Sequence, residues 1–311
     1  MILAESICSG RKMLEKRTIR REVRFSGRGV HTGKEVALTL KPSESGRMTF
    51  RRLDLGGREI ELNPKLARAE NASLLVDGSV RIRTIEHLLA VLYVFGLDSW
   101  EVELDGEEVP IGDGSALPFI SLIKDAGMAF LSEEKKIIKV IKSLKIEQGG
   151  AWISFSPHSE LCLSYAIDYP HPLIGHQEYQ GVLGVKSFTQ EIAPARTFGF
   201  LKDVPGLLER GLAQGGTLRN AVILDDREVL NPPLRFPDEF VRHKVLDLIG
   251  DLALLGAPLM ARVEVNRGGH GLHQAGIRAL SDATDHWVEE KGLFPSFLNE
   301  ISSIEAEPKV G

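Results

Sequence analysis

Apolar residues along this chain follow two periods and divide it into two successive sets of strands and helices. From residue 18 onward, short strand-like segments such as 36–40 lie between Gly and Pro signals, which predicts an antiparallel sheet. A helix follows, with Thr84 as its N-cap and Gly96 at its end. Its apolar positions recur at helical spacing: Ile85, Leu88, Leu89, Leu92 and Phe95. A second predicted helix, around 119–127, completes this set.

The same order of elements returns in the second half of the chain. Strands are predicted at 152–155 and 161–169, and a long helix is predicted around 239–255, before Gly256 and Pro258. The order indicates an α+β fold of two similar β-sheet-plus-helix domains, with a shared cleft between them. Their predicted bounds are 17–132 and 137–305, and the charged residues between them form the linker. Residues 1–16 are predicted to be a flexible N-terminal extension.

Length and composition agree with a folded, water-soluble protein of two domains. The 311 residues are 43% hydrophobic and 26% charged, with a formal net charge of −5, which does not favour nucleic-acid binding. Two cysteines, Cys8 and Cys162, are too few for a disulfide framework or a cysteine zinc site, and they favour a cytoplasmic location. The sequence has no apolar stretch of the roughly 18 residues that a spanning helix needs, so no integral membrane contact is expected.

The most informative segment lies in the long helix of the second half. At 3.6 residues per turn, His243, Asp247 and Asp251 share one stripe, which we expect to look outward from an apolar stripe on the opposite face. An imidazole and a carboxylate four residues apart can both reach one zinc ion. The alternative is an ordinary solvated helix face, which is the commoner origin of this spacing.

The first helix offers a pair of residues that would complete such a site. A hydrolytic zinc centre needs a third protein ligand, an open position for water and a base. Here His87 could bind the metal and the adjacent Glu86 could be the base. A glutamate near a helix N-terminus also stabilises the helix, and the helix dipole lowers its pKa, so burial would have to offset that effect.

Two further segments carry candidate polar groups. Paired glycines before His270 allow close backbone approach to a ligand, and His270 could be an acid or an oxyanion partner, although a turn residue would give the same pattern. Asp251 could fix the tautomer of this histidine through a hydrogen bond. Thr197, in the segment 196–200, adds a hydroxyl donor beside aromatic residues. The alternative interpretation of this segment is an ordinary strand end.

From about residue 18 to the last helix, the chain resembles the UDP-3-O-acyl-N-acetylglucosamine deacetylases, zinc enzymes of lipid A biosynthesis in bacteria. Several long motifs in the same order carry the resemblance: Ser26-Gly-Arg-Gly-Val-His31-Thr-Gly33, Thr84-Ile-Glu-His-Leu-Leu89, Glu108-Val-Pro-Ile-Gly-Asp-Gly-Ser-Ala116, Ala195-Arg-Thr-Phe-Gly-Phe200, Phe240-Val-Arg-His-Lys244 with Asp247 and Asp251, and Gly269-His270. The resemblance implies two sandwich domains with helices packed between the sheets, and each domain with a small insert.

The resemblance also implies roles for particular residues. Zinc would be held by His87, His243 and Asp247, with Fe²⁺ as a possible metal in the cell. Glu86 would be the general base and His270 the general acid, and the residues that support them would be Thr197, Lys244 and Asp251. Substrate-binding residues would be Phe198, Arg267, Tyr169, Leu201, Leu207 and His31, and the second insert, about 198–225, would form a passage for the acyl chain. The apolar residues of this insert would also suit a buried packing helix.

Three positions depart from the residues that are usual in that family. Arg267 stands where lysine is usual, Gly112 where methionine is usual, and Leu272-His273 where an asparagine is common. An arginine can still meet a diphosphate through its fork of donors.

The expected activity is hydrolysis of the N-acetyl group of UDP-3-O-acyl-N-acetylglucosamine by water, in a cytoplasmic monomer. Two alternatives remain at this point. One is a zinc amidase that acts on a different acylated sugar, and the other is a non-catalytic binding protein of related fold.

Overall fold

The computed structural model describes residues 15–290, 295–298 and 300. The first set of elements contains nine strands and two helices among the described residues: β1 (Glu15–Ile19), β2 (Val23–Arg28), β3 (Glu35–Pro42), β4 (Met48–Arg52), β5 (Arg58–Glu61), β6 (Ala67–Ala69), β7 (Ser73–Asp77), β8 (Val80–Arg83), α1 (Glu86–Val94), β9 (Trp100–Leu104) and α2 (Leu117–Ala126).

A second set follows without a break in the chain: β10 (Met128–Glu134), β11 (Ile137–Val140), β12 (Leu144–Gln148), β13 (Ala151–Ser156), β14 (Leu161–Tyr169), β15 (Gly175–Val182), α3 (Val185–Ser187), β16 (Phe198–Phe200), α4 (Val204–Glu209), β17 (Val222–Leu224), α5 (Glu239–Leu252), β18 (Leu259–Asn266), α6 (His270–Asp282) and β19 (Trp287–Glu290). The strands and helices confirm the predicted α+β fold.

Each set builds one large sheet. In the first, the strand order is β2-β3-β9-β4-β5, and the pairs are antiparallel except for β9 with β4. In the second, β18 runs parallel to β11 and β14 and antiparallel to β13. Smaller sheets are β6-β7-β8, β16-β17 and β1-β10. The parallel β16–β17 pair lies in the segment predicted as the second insert.

Helices α1 and α5 pack directly against each other and α6 packs against α5, so the helices lie between the sheets as expected. All nine residues of α1 are buried, which explains why its sequence is apolar around most of its circumference. Gly250 allows the closest approach of the two helices, because a Cβ at this position would lie 2.0 Å from the carbonyl oxygen of Glu86. The N-terminus of α1 therefore lies against the C-terminal part of α5.

Three details differ from the expectations. Thr84 is not the N-cap of α1, since its backbone has a φ of 56° and its hydroxyl donates to Glu108 instead. The stripe of His243, Asp247 and Asp251 does not face solvent, because α1 and α6 cover it and all three residues are buried. Within the predicted linker, Lys135 is buried and its ammonium contacts Asp98 at 2.7 Å.

The predicted domain bounds stay a prediction. Strand β1 begins at Glu15, and residues 1–14 of the predicted extension lie outside the described residues, as do residues 301–305 of the predicted second domain. Within the described part of the chain, no helix is both long enough and apolar enough to cross a membrane.

Candidate active site

Three side chains from two helices converge where α1 meets α5. His87 is the second residue of α1, and His243 and Asp247 lie one turn apart on α5. Nε2 of His243 lies 3.3 Å from Oδ1 of Asp247, and Nε2 of His87 lies 3.7 Å from the same oxygen. The two imidazole rings meet edge to face with their centroids 5.0 Å apart. Because a backbone contact at Gly250 fixes how closely the helices approach, the fold itself brings the three groups together.

These spacings fit a shared metal ion. They exceed the usual 2.9–3.0 Å of an N–H···O hydrogen bond. Two ligands about 2.0–2.1 Å from a tetrahedral metal are instead separated by about 3.3 Å. One potential ligand atom from each of the three residues lies within 4.8 Å of the other two. Two imidazoles and one carboxylate are also an ordinary donor set for a catalytic zinc site.

The surroundings of His243 and Asp247 hold these two candidate ligands in the state that a metal needs. The Nδ1–H of His243 donates to the carbonyl of Ala195 at 3.1 Å, which leaves Nε2 with its lone pair, and burial lowers the pKa of His243 to about 3. Burial alone would raise the pKa of Asp247, but the cationic side chains of Lys244 and His270 outweigh burial and hold that pKa well below its usual range. Nζ of Lys244 donates to Oδ2 of Asp247 at 2.8 Å.

Glu86 is the first residue of α1, and its carboxyl group is buried beside the candidate metal ligands. Burial raises the pKa of Glu86, although the neighbouring imidazoles of His270 and His87 oppose the shift. Burial therefore offsets the effect expected from the helix N-terminus. One carboxylate oxygen, Oε2, accepts the backbone N–H of Ser73 at 3.0 Å.

His270 is the first residue of α6 and faces Glu86 across the site. Its Nε2 lies 3.9 Å from Oε1 of Glu86, while its Nδ1–H donates to Oδ2 of Asp251 at 2.8 Å. Burial alone would lower the pKa of His270, but the charges of Asp251 and Asp247 outweigh burial and raise that pKa to about 9. The imidazole is therefore protonated at neutral pH and aims one N–H into the cleft.

A further histidine, which the sequence marks only as a departure from the family pattern, shares the same aspartate. Nδ1 of His273 lies 2.8 Å from Oδ2 of Asp251, and Nε2 of His273 lies 2.9 Å from the hydroxyl of Tyr165. Burial lowers the pKa of His273, which keeps the ring neutral, so it donates to Asp251 and accepts from Tyr165. Neither Tyr165 nor His273 has a sequence signal of a role, since each looks like an ordinary residue of a strand or a helix.

A buried glutamate connects the glycine-rich loop at residues 29–33 to the start of α1. Glu108 accepts the backbone N–H groups of His31 and Thr32 at 2.9 and 2.7 Å and the hydroxyls of Thr32 and Thr84 at 2.7 and 2.8 Å. A Cβ on Gly29 would lie 2.2 Å from this carboxylate, so glycine is required there. Thr84 lies two residues before Glu86, and Glu108 therefore helps to place the N-terminus of α1.

Two cavities that share part of their lining open beside these groups. One, of about 670 Å³, is lined by Glu86, His243, Lys244, Asp247 and His270 together with polar and aromatic residues. The other, of about 460 Å³, has mostly apolar walls from the segment 197–230. Both include Thr197, Phe198 and Leu207 in their lining.

The predicted substrate-binding residues fall on different parts of these walls. His31 and Leu201 line the apolar cavity, and Tyr169 lines the polar one. The rings of Tyr169 and Phe198 meet edge to face with centroids 5.8 Å apart. Arg267 is exposed and stands outside the lining of both cavities, at a position with a φ of 55°.

A cluster of candidate metal ligands with a buried carboxyl group and an imidazole beside it, next to an apolar cavity, is typical of a metal-dependent amide hydrolase. Comparison with known proteins makes the assignment more specific. The family model described as UDP-3-O-acyl N-acetylglycosamine deacetylase matches residues 16–282, so the chain belongs to this family.

Curated relatives agree across nearly the whole chain. A UDP-3-O-acyl-N-acetylglucosamine deacetylase from Neisseria gonorrhoeae is 40% identical over 300 residues, which cover 92% of this chain and 98% of the relative. The enzyme of the same name from Nautilia profundicola is 42% identical over 262 residues, or 84% of this chain and 89% of the relative. Another, from Oleidesulfovibrio alaskensis, is 39% identical over 300 residues, or 95% and 98%.

Proposed function

We propose that this protein is a zinc-dependent deacetylase that hydrolyses the N-acetyl group of UDP-3-O-acyl-N-acetylglucosamine in lipid A biosynthesis. The observation that carries the proposal is the convergence of His87, His243 and Asp247, with Glu86 and His270 on either side of them. Membership of the deacetylase family supports the substrate. A cytoplasmic location and a monomeric state stay predictions from the sequence.

In this proposal His87, His243 and Asp247 hold the metal. A bound Zn²⁺ lowers the pKa of water to about 7 and polarises a carbonyl group. Fe²⁺ accepts the same nitrogen and oxygen donors, so it is the alternative metal in the cell. The three ligands are buried, but His243 and Asp247 line the polar cavity and His87 lines the apolar one, so both cavities give access to the site.

The proton-transfer steps fall to the two groups at the helix N-termini. Glu86 accepts a proton from the attacking water, and its raised pKa makes it a stronger base than an exposed glutamate. His270 donates its Nε2 proton to the leaving amine, and Asp251 keeps that ring protonated and oriented. Thr197 and Lys244 line the same cavity, which supports the proposal that they meet the negative charge that develops on the amide oxygen.

The two cavities fit the two ends of the proposed substrate. The apolar one accepts the 3-O-acyl chain along Leu201, Leu207 and the neighbouring wall. The polar one accepts the sugar and the start of the diphosphate, with Phe198 and Tyr169 as aromatic surfaces and Lys202 and Arg210 as cations in the lining. Arg267, outside both linings, would meet only the distal part of the nucleotide.

The decisive experiment measures acetate release by the purified protein with acylated and with deacylated UDP-N-acetylglucosamine. We expect turnover of the acylated substrate, and a loss of at least about 100-fold when the acyl chain is missing, since remote binding energy contributes to catalysis. Equal rates on both would favour an amidase for another acylated sugar. No turnover by a protein that also binds no metal would favour the binding-protein alternative.

The metal part of the proposal has its own test. Protein purified without added metal is analysed for zinc and iron, beside a His87→Ala, His243→Ala double variant. We expect about one metal ion per wild-type chain and nearly none in the variant. If the double variant keeps its metal, the metal is bound at another site.

A further inference from the structure

Ser73 makes contacts on both sides of the active site. It is the first residue of β7, in the first half of the chain, and it is fully buried. Its backbone N–H donates to Oε2 of Glu86 at 3.0 Å. Its hydroxyl group contacts Oδ1 of Asp251 on α5 and lies 3.0 Å from Nδ1 of His270 on α6. One residue thus touches the proposed base and both members of the proposed acid pair.

The hydrogens around this hydroxyl can be assigned from the donors that surround it. Nε2 of Gln274 has two hydrogens, and its two acceptors are Oγ of Ser73 at 2.9 Å and the carbonyl of Arg68 at 3.0 Å. Oγ of Ser73 is therefore an acceptor towards Gln274, and its single hydrogen is directed to Oδ1 of Asp251. The other oxygen of Asp251 already receives two imidazole N–H groups.

The position of Ser73 matters because the two proton-transfer groups come from different halves of the chain. Glu86 is on α1, whereas Asp251 and His270 are on α5 and α6. Both groups must reach the same substrate, and a displacement of about 1 Å between catalytic groups can reduce a rate by roughly 100-fold. Ser73 is hydrogen-bonded to Glu86 and to Asp251, the partner of His270, so it links the two groups.

We propose that Ser73 is a positioning residue of the deacetylation reaction, which holds the Asp251–His270 pair in register with Glu86. This inference rests on the proposed function. The backbone N–H orients the base, and the hydroxyl orients the acid through Asp251. Gln274 in turn fixes the direction of the hydroxyl.

The test compares Ser73→Ala in two backgrounds, the wild type and His270→Ala. Alanine removes the hydroxyl but keeps the backbone N–H on Glu86. In the wild-type background we expect kcat to fall by roughly 10- to 100-fold, which is usual when a group that orients a catalytic residue is lost, with KM and zinc content unchanged. In the His270→Ala background the same substitution should cost less than about 3-fold, since the group through which Ser73 acts is already gone.

A merely structural role gives a different pattern. If Ser73→Ala reduces kcat by the same factor in both backgrounds, or acts on KM or zinc content alone, the inference is wrong. If Ser73→Ala does not fold, Gln274→Met replaces it, since this change leaves Ser73 in place but removes the donor that directs its hydroxyl. The loss in kcat should again depend on the presence of His270, and equal losses would overturn the inference.

The proposed function and this inference can fail separately. A wild-type protein without deacetylase activity would refute both. An active wild type whose Ser73→Ala variant keeps the full kcat would refute the positioning role alone.

Discussion

Replacing Gly250 by alanine tests whether the contact between α1 and α5 builds the active site. The new Cβ would lie 2.0 Å from the carbonyl oxygen of Glu86 and 2.6 Å from its carbonyl carbon. Carbon–oxygen contacts of this kind normally measure about 3.3 Å or more, so the helices would have to separate by about 1 Å. That separation falls between Glu86 and His87 on one side and His243, Asp247 and Asp251 on the other.

Two effects of opposite sign bear on the stability of this variant. Alanine at an unobstructed helix position would stabilise by up to about 1 kcal/mol. Overpacking at a close helix contact costs typically about 1–3 kcal/mol, so we expect a net loss of about 1–2 kcal/mol. A shift of about 1 Å in the catalytic geometry should lower kcat by roughly 100-fold.

The assay combines urea unfolding, zinc content and kcat, with Gly271→Ala as the matched control. Gly271 lies in the first turn of α6, and a Cβ there would meet nothing within 4 Å. The control should keep its activity and its stability or gain slightly. If Gly250→Ala is as active as the wild type and at least as stable, the close approach of the two helices is not what places the site.

Three further predictions concern charge and metal. The value of kcat/KM should fall at low pH as Glu86 becomes protonated, and at high pH as His270, with a pKa of about 9, loses its proton. If the fall at high pH persists in His270→Ala, His270 is not the general acid. Removing the metal with a chelator should lower the free energy of unfolding of the wild type by about 3 kcal/mol if zinc is present at 100 times its Kd. The same chelator should change the thermal unfolding of His87→Ala very little. Glu108→Gln should destabilise the protein by about 1–3 kcal/mol, because the amide NH₂ group would face donors that bond to the carboxylate in the wild type. Unchanged urea unfolding would contradict this prediction.

The sequence predicts the elements that carry regular periodicity. The helix around 239–255 is observed as α5 followed by a short 3₁₀ turn at Ala253–Leu255, and the helical spacing of His243 and Asp247 correctly brings them to one face. The direction of that face cannot be predicted from α5 alone, since the face is buried by α6 and by α1, which is distant in the chain.

Contacts between distant segments explain what the sequence leaves out. Thr84 looks like an N-cap because a hydroxyl stands before an apolar helix, but Glu108, 24 residues later, accepts its hydrogen instead. Ser73 gives no signal, because its contacts with Asp251 and Gln274 cross from one half of the chain to the other. The motifs that carry the family resemblance include Glu108 but not Ser73.

The loop that Glu108 holds also supports one wall of the apolar cavity. The backbone N–H groups of Gln214 and Gly215 donate to the carbonyls of His31 and Val30, and Ala213 and Gly216 on either side line the cavity. Redesign of this wall to admit longer or shorter chains would therefore disturb the helix that carries Glu86. To alter chain-length selectivity without slowing hydrolysis, other lining residues such as Leu201 and Val204 are the better choice. Among the described hydrogen bonds, their segment has no such tie to the helix that carries Glu86.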